Sequence, residues 1–326
     1  MTADRVPAHV FLDVLVECNL RCVQCDIWKL KTPPGTLTLE ERRAVVRQVG
    51  EWDPSIRIVL TGGELLLDRP SLYGLADTCK EAGVYTTLST NGTLLREADI
   101  ERLPGSGIRC VVLSIDSDEA AVHDRIRGVE GTFERVTQSV QRLVAVRDRH
   151  RTDFSVLTST ILGSHNLHRV RPMVDLLEGL GVDTTLFQPI QPAFARSVET
   201  DWWSVDPLFP NDQAQVDRGV DDLIELKRAG RRLYQSAAQF EDMRAYFSSP
   251  AALRPGQCAS MDRALMIDAF GEVRLCFNME RLPMAPIGSV RRQPLRSLWE
   301  SPEAERARAR MRACRLGCGT MICHAR

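Results

Sequence analysis

The 326-residue sequence has no apolar run approaching the roughly 20 residues that span a bilayer, so no membrane helix and no membrane partner are expected. It has no excess of either charge. Forty-two basic residues face 43 acidic ones, net −1, so nothing in the composition implies a nucleic acid or an anionic surface as partner. The first ten residues lack the basic-then-apolar layout of a secretory signal, and a cytoplasmic location is expected. Internal repeats and low-complexity tracts are also missing. What is present is a core and an unusual number of thiols. With 44% apolar residues the chain can bury one large core, or a core and a small appendage. In a reducing compartment its ten cysteines read as cluster ligands or core thiols rather than disulfides.

Eight of those ten fall into two groups, at positions 18–25 and 258–323, while Cys79 and Cys110 stand alone and read as small core residues. Cys18, Cys22 and Cys25 lie in the run C-N-L-R-C-V-Q-C, directly after an apolar, strand-like stretch. A structural zinc site needs four ligands, and no further Cys or His follows Cys25 before Cys79. Three thiols therefore leave one position vacant, as on a cluster that keeps an iron open to a small molecule. One strand further on comes Thr61-Gly62-Gly63-Glu64. A glycine pair after a strand is by itself only a turn; glycine also lets a backbone approach a ligand closely, and Glu64 can accept from a bound ammonium group.

From residue 9 to about 190 strand-like and helix-like stretches alternate. Strands are expected at 9–17, 56–60, 84–90, 110–115, 154–160 and 183–188, with amphipathic helices at 39–52, 72–82, 132–146 and 167–180. Thr38-Leu39-Glu40-Glu41 predicts a capping box, and Gly83 and Gly181 predict helix stops. Six β-α units in succession require crossover helices and hence a parallel α/β sheet, either a barrel or a doubly wound sheet. Two helices are expected at 213–229 and 239–246, then a hairpin over 263–277 and a helix over 294–312. Serine, asparagine and aspartate close the third and fourth strands, at Asn91, Ser114 and Asp116. Ligands of parallel folds gather at such strand ends, although the same residues also cap helices and form turns.

The cysteine triplet, the glycine pair and the cysteine-rich tail, in that order, resemble the radical S-adenosylmethionine (SAM) superfamily. The resemblance implies a partial (β/α)6 TIM-like barrel and a [4Fe–4S] cluster on Cys18, Cys22 and Cys25 whose open iron binds SAM. Gly62, Gly63 and Glu64 are then expected at the SAM ammonium, and Asn91, Ser114 and Asp116 at its ribose or carboxylate. Two departures stand out: Gln24 occupies a position that is often aromatic, and Leu65 one that is often proline. The tail, with Cys258, Cys276, Cys314, Cys318 and Cys323, is similar to the SPASM extension or its shortened twitch form. Seventeen residues separate its first two cysteines, and Gly271 stands five before Cys276. This implies one auxiliary [4Fe–4S] cluster on four of the five thiols, one of the last three being spare; a zinc ribbon is the alternative.

The domain layout expected is a barrel over 1–200, a helical linker over 201–250 and a cluster-binding unit over 251–326. The implied activity is reductive cleavage of SAM to a 5′-deoxyadenosyl radical that takes a hydrogen atom from a small polar metabolite such as a sugar, aminocyclitol or nucleoside. Dehydrogenation, epimerisation and decarboxylation all remain open outcomes. Cys110 and Cys323 are candidate hydrogen donors, and a flavodoxin or ferredoxin the expected reductant, with the arginine-rich segment 306–312 as its landing site or simply a solvated helix face. The short segment before the first strand favours a small-molecule substrate over a peptide. Peptide maturation is the alternative, and a non-catalytic iron–sulfur or zinc scaffold a third reading. Trp202, Trp203 and Phe209 read as core packing or as a roof over the barrel mouth.

Overall fold

The computed structural model describes residues 5–192, 201–250, 252, 258–277 and 285–314. Six strands, β1 (His9–Leu15), β2 (Arg57–Gly62), β3 (Thr86–Thr90), β4 (Ile108–Ser114), β5 (Ser155–Leu162) and β6 (Thr184–Pro189), pair in sequence order and all in parallel. Helices α1 (Leu39–Trp52), α2 (Arg69–Glu81), α3 (Glu97–Arg102), α4 (Ala120–Arg127), α5 (Thr132–His150) and α6 (Val170–Gly179) make the crossovers. After them come α7 (Gln213–Arg228) and α8 (Ala237–Ser248), then β7 (Ala264–Ile267), β8 (Glu272–Arg274), β9 (Gly288–Ser289), α9 (Leu295–Trp299) and α10 (Pro302–Arg312). The architecture is α/β with six parallel strands in sequence order, as the alternation predicts, and it resembles the partial barrel that the family resemblance implies.

Local chemistry sets the boundaries. Thr38 and Glu41 form the reciprocal capping box, the Thr38 amide donating to Glu41 at 2.7 Å. The six β-α units call for crossovers at α3 and α4 too, but each is too short for its periodicity to mark the bounds. The single helix expected over 294–312 is broken: the Ser301 hydroxyl caps a new start, with Pro302 in the first turn. The expected hairpin forms between β7 and β8, but it does not stand apart. Strand β7 pairs in parallel with β1, so the sheet runs β6-β5-β4-β3-β2-β1-β7-β8-β9 without a break.

One face of the barrel strands is buried under the helices, through residues such as Val10, Leu12, Ile58, Leu60 and Leu88. The opposite, concave face is half-buried and carries polar side chains toward its carboxyl end: Asp13, Thr61, Ser89, Ser114, Ser159 and Gln188. Closed barrels fill this position with branched apolar residues; here hydroxyl, amide and carboxyl groups stand among apolar ones such as Phe11, Val59 and Leu157. Trp202, Phe209 and Phe247 pack edge to face, with ring centroids 5.5 and 5.6 Å apart, and the Tyr246 hydroxyl donates to the Ile190 carbonyl at 2.9 Å. This aromatic cluster joins α8 and the segment before α7 to the chain just after β6 and is core packing. No helix among the described residues is long and apolar enough to cross a membrane.

Candidate active site at the carboxyl ends of the strands

The segment carrying Cys18, Cys22 and Cys25 leaves β1 at the carboxyl end of the sheet and is pinned from two sides. On one side the amides of Arg21 and Val23 donate to the carbonyls of Arg127 and Ile126, at 3.1 and 3.0 Å, at the end of α4. Gly128 makes that contact possible, since a Cβ there would stand 2.3 Å from the Arg21 carbonyl oxygen. On the other side the amides of Gly63 and Glu64 donate to the carbonyls of Leu15 and Glu17, at 2.5 and 2.8 Å. A Cβ on Gly62 would meet the Leu15 oxygen at 2.3 Å, and one on Gly63 the Glu17 oxygen at 1.9 Å. The close approach that demands glycine here is therefore between two exiting backbones of the same protein.

Glu64 is fully buried and lies close enough to Cys18 to help raise its thiol. It accepts from the amides of Leu66 and Asn91 at 3.1 and 2.8 Å and from the Thr90 hydroxyl at 2.8 Å. These bonds fix the turn after β3, where Asn91 Nδ2 donates to Asn19 at 2.9 Å and stands 3.9 Å from Cys18 Sγ.

Asp116 is also fully buried, and its carboxylate is shared among three donors. Arg127 lies 2.9 Å away, Gln24 Nε2 3.1 Å and the Ile161 amide 3.0 Å. The other end of Arg127 stands 3.9 Å from Cys22 Sγ. Burial opposes both charges, yet Arg127 holds the Asp116 carboxyl below its ordinary range, and Asp116 with Cys22 raises the guanidinium above its own. His123 accepts from the Asp116 amide at 3.2 Å; burial first and Arg127 second push its pKa down to about 4, so it is neutral. Trp28 closes the loop with a 3.3 Å bond to the Cys22 carbonyl.

Burial pushes the Cys18 thiol up to about 11, with the neighbouring Cys22, Glu64 and Cys25 adding to it. The three thiols are thus close enough to feel one another. Among the described residues no three His, Cys, Asp or Glu side chains are gathered as they would be around a single metal ion. Thiols carried on three separate irons of a cluster need no such convergence. Two further atoms point to a ligand. Gln24 Oε1 and Arg127 Nε are buried with no hydrogen-bond partner. Unsatisfied groups of this kind are costly and call for an occupant.

The same is true of two residues that the sequence reading missed. Both ring nitrogens of His165 and both amide atoms of Gln191 are buried and unpartnered. They follow β5 and β6, whose ends are bonded by the Ile190 amide and the Leu162 carbonyl at 2.9 Å. The strand-end rule that selected Asn91 and Ser114 reaches both. Asp13 was missed as well; burial, reinforced by Asp268, pushes its carboxyl up to about 7. Its signal was a lone acid in the otherwise apolar run V-F-L-D-V-L.

Ser114 opens onto the concave face beside Ser159, its register partner. Cys110 does not join the site. It sits near the amino end of β4, four residues and roughly 13 Å of strand before Ser114, and burial pushes its thiol up to about 12. In the tail, Cys258, Cys276 and Cys314 are described, and the charge of Cys314 reaches Cys258. Buried Arg308 holds this end together: it donates to the carbonyls of Met261 and Trp299 at 3.1 and 2.9 Å, with its guanidinium 4.3 Å from the Trp299 ring centre. Cys318 and Cys323 lie outside the described residues.

Known proteins resemble this chain in the same two places. The family model of the radical SAM superfamily matches residues 14–177, half of the chain, and that of the iron–sulfur cluster-binding SPASM domain matches 258–319. The AdoMet-dependent heme synthase of Methanosarcina barkeri is 27% identical over 312 residues, 92% of this chain and 84% of the relative. The PqqA peptide cyclase of Rhodopseudomonas palustris is 25% identical over 179 residues, 55% of this chain and 45% of the relative. Streptococcus suis SuiB, solved with S-adenosylmethionine bound, superposes with a TM-score of 0.68 over 97% of this chain and 69% of its own, at 14% identity, a likeness of fold.

Proposed function

Because the chain belongs to the radical SAM superfamily and carries an iron–sulfur cluster-binding SPASM domain, we propose that it is an enzyme acting on a small polar metabolite. The family brings SAM, the [4Fe–4S] cluster that binds it and an auxiliary iron–sulfur cluster. Bound together, the first two supply on reduction a 5′-deoxyadenosyl radical able to take a hydrogen atom from carbon. The chain's own residues provide position and shielding. Cys18, Cys22 and Cys25 hold the SAM-binding cluster, with the N–H groups of Asn91 and Arg127 beside two of the thiols. Gly62 and Gly63 bring the β2 exit against that loop, and Glu64 fixes the Asn91 turn that leans on it. Cys258, Cys276 and Cys314 are ligands of one auxiliary cluster, with the fourth drawn from Cys318 and Cys323. A flavodoxin or ferredoxin delivers the electron.

The observation that carries the substrate class is the set of unpartnered polar groups after the strand ends, His165 and Gln191, beside a concave face that includes hydroxyl and amide side chains. A neutral imidazole and a carboxamide each both donate and accept. That suits hydroxyl-bearing substrates such as sugars, aminocyclitols or nucleosides better than an acceptor-only carboxylate. A relative matched along most of both chains is named for a small-molecule product, which points the same way. A peptide substrate is the second reading, favoured by the similarity to a peptide cyclase.

The test is anaerobic reconstitution with dithionite and SAM, adding in turn deuterated aminocyclitols, nucleosides and short peptides. Deuterium in 5′-deoxyadenosine from one of the polyols supports the proposal. Deuterium transfer from peptides alone overturns it. With the substrate in hand, His165→Ala and Gln191→Ala should raise KM severalfold and leave uncoupled SAM cleavage intact.

A further inference from the structure

We propose that the buried Asp116–Arg127 pair sets the reduction potential of the N-terminal cluster, acting through Cys22 as a pair of opposed electrostatic levers. The inference rests on the assignment of Cys22 as a cluster ligand made above.

The two side chains are 0% and 9% exposed and 2.9 Å apart, and the guanidinium stands between the carboxylate and Cys22 Sγ, 3.9 Å from the sulfur. A buried ion pair is a poor device for stability, because desolvation offsets most of the attraction. Here several bonds hold it in one orientation. Gln24 and the Ile161 amide fix the carboxylate, and Asn166 Nδ2 donates to the Asp116 carbonyl at 2.8 Å. The helix that ends in Arg127 is itself bonded to the cysteine loop through Arg21 and Val23. The distance between guanidinium and sulfur is therefore built into the backbone.

Hydrogen bonds to cluster sulfurs and the net charge nearby govern the potential of an iron–sulfur centre. A guanidinium beside Cys22 favours the added electron, and the carboxylate behind it opposes the electron from a greater distance. Gln24 belongs to this device: at a position where the resemblance expects an aromatic ring, an amide tethers the anion.

The readout is the midpoint potential of the SAM-binding cluster, from anaerobic titration of the full-length reconstituted protein followed by electron paramagnetic resonance. Subtracting the signal of the Cys18/Cys22/Cys25→Ala protein removes the tail cluster. Arg127→Met leaves the buried anion alone and should make reduction at least tenfold less favourable, 59 mV for a one-electron couple. Asp116→Asn leaves the cation alone and should shift the potential the opposite way. Arg127→Lys keeps the charge and should stay between wild type and Arg127→Met. If Arg127→Met fails to load iron, Asp116→Asn and Arg127→Lys decide the matter alone. Unchanged potentials in fully loaded Asp116→Asn and Arg127 variants, or shifts in the same direction, overturn the proposal. Survival of the SAM-responsive signal in Cys22→Ala would instead overturn the ligand assignment beneath it.

Discussion

Glu64 accepts a hydrogen bond from the Asn91 amide at 2.8 Å, joining the exits of two neighbouring strands beneath the cysteine loop. The carboxylate is buried, so its loss would strand the Asn91 and Leu66 amides and the Thr90 hydroxyl. Glu64→Ala should cost about 3 kcal/mol of stability or more, given about 1–3 kcal/mol for each of the three buried donors left unpaired. Urea unfolding of the apoprotein reads this directly, and an unchanged midpoint would remove Glu64 from the framework. SAM affinity should fall with it, through the displaced Asn91 turn.

Gly63→Ala places a methyl group where the Glu17 carbonyl already stands, 1.9 Å from the new carbon. The obstacle is backbone, so the β2 exit and the cysteine loop must separate. Iron loading at the N-terminal site should fall severely, while Gly83→Ala, whose Cβ meets nothing within 4 Å, should cost only the strain of its positive φ. Full loading of the Gly63→Ala protein would contradict the close packing described here.

Asp13 gives the fold a pH dependence of unusual sign. Its folded pKa is raised to about 7 from an ordinary value of 3.8, so between those limits the folded state holds a proton that the unfolded chain has released. Stability should fall as pH rises through that window and level off above it. Asp13→Asn should remove the slope and stabilise the apoprotein at pH 8 by up to about 4 kcal/mol, at 1.36 kcal/mol per pKa unit. Denaturation at pH 5 and pH 8 checks this; equal slopes in variant and wild type would contradict it.

Replacing Cys258 or Cys276 with Ala should depress substrate turnover far more than uncoupled SAM cleavage, because the N-terminal cluster stays intact. Comparing 5′-deoxyadenosine with product formed in each variant separates the two. Equal losses of both would show that these cysteines act on SAM cleavage or on the fold rather than on substrate turnover alone.

Much of this was legible in the sequence, for identifiable reasons. The six parallel strands and the Thr38 cap follow from periodicity and capping chemistry, which act over a few residues. The cysteine spacing marked the loop for the same reason. The Asp116–Arg127–Cys22 contact joins residues up to 105 positions apart, and no local pattern carries it. The burial of Glu64 and the pairing of β7 with β1 likewise depend on which surfaces meet. His165 and Gln191 needed only the strand-end rule, but nothing in the sequence distinguishes an orphaned amide from a capping one.

The most direct test of the site replaces Cys18, Cys22 and Cys25 together with Ala, followed by anaerobic reconstitution, iron analysis and assay of SAM cleavage. About four irons per chain should remain, as one cubane cluster in the tail requires, and no 5′-deoxyadenosine should form. Continued 5′-deoxyadenosine formation would show that the cleaving cluster lies elsewhere, and an iron count near zero would show that the tail holds none.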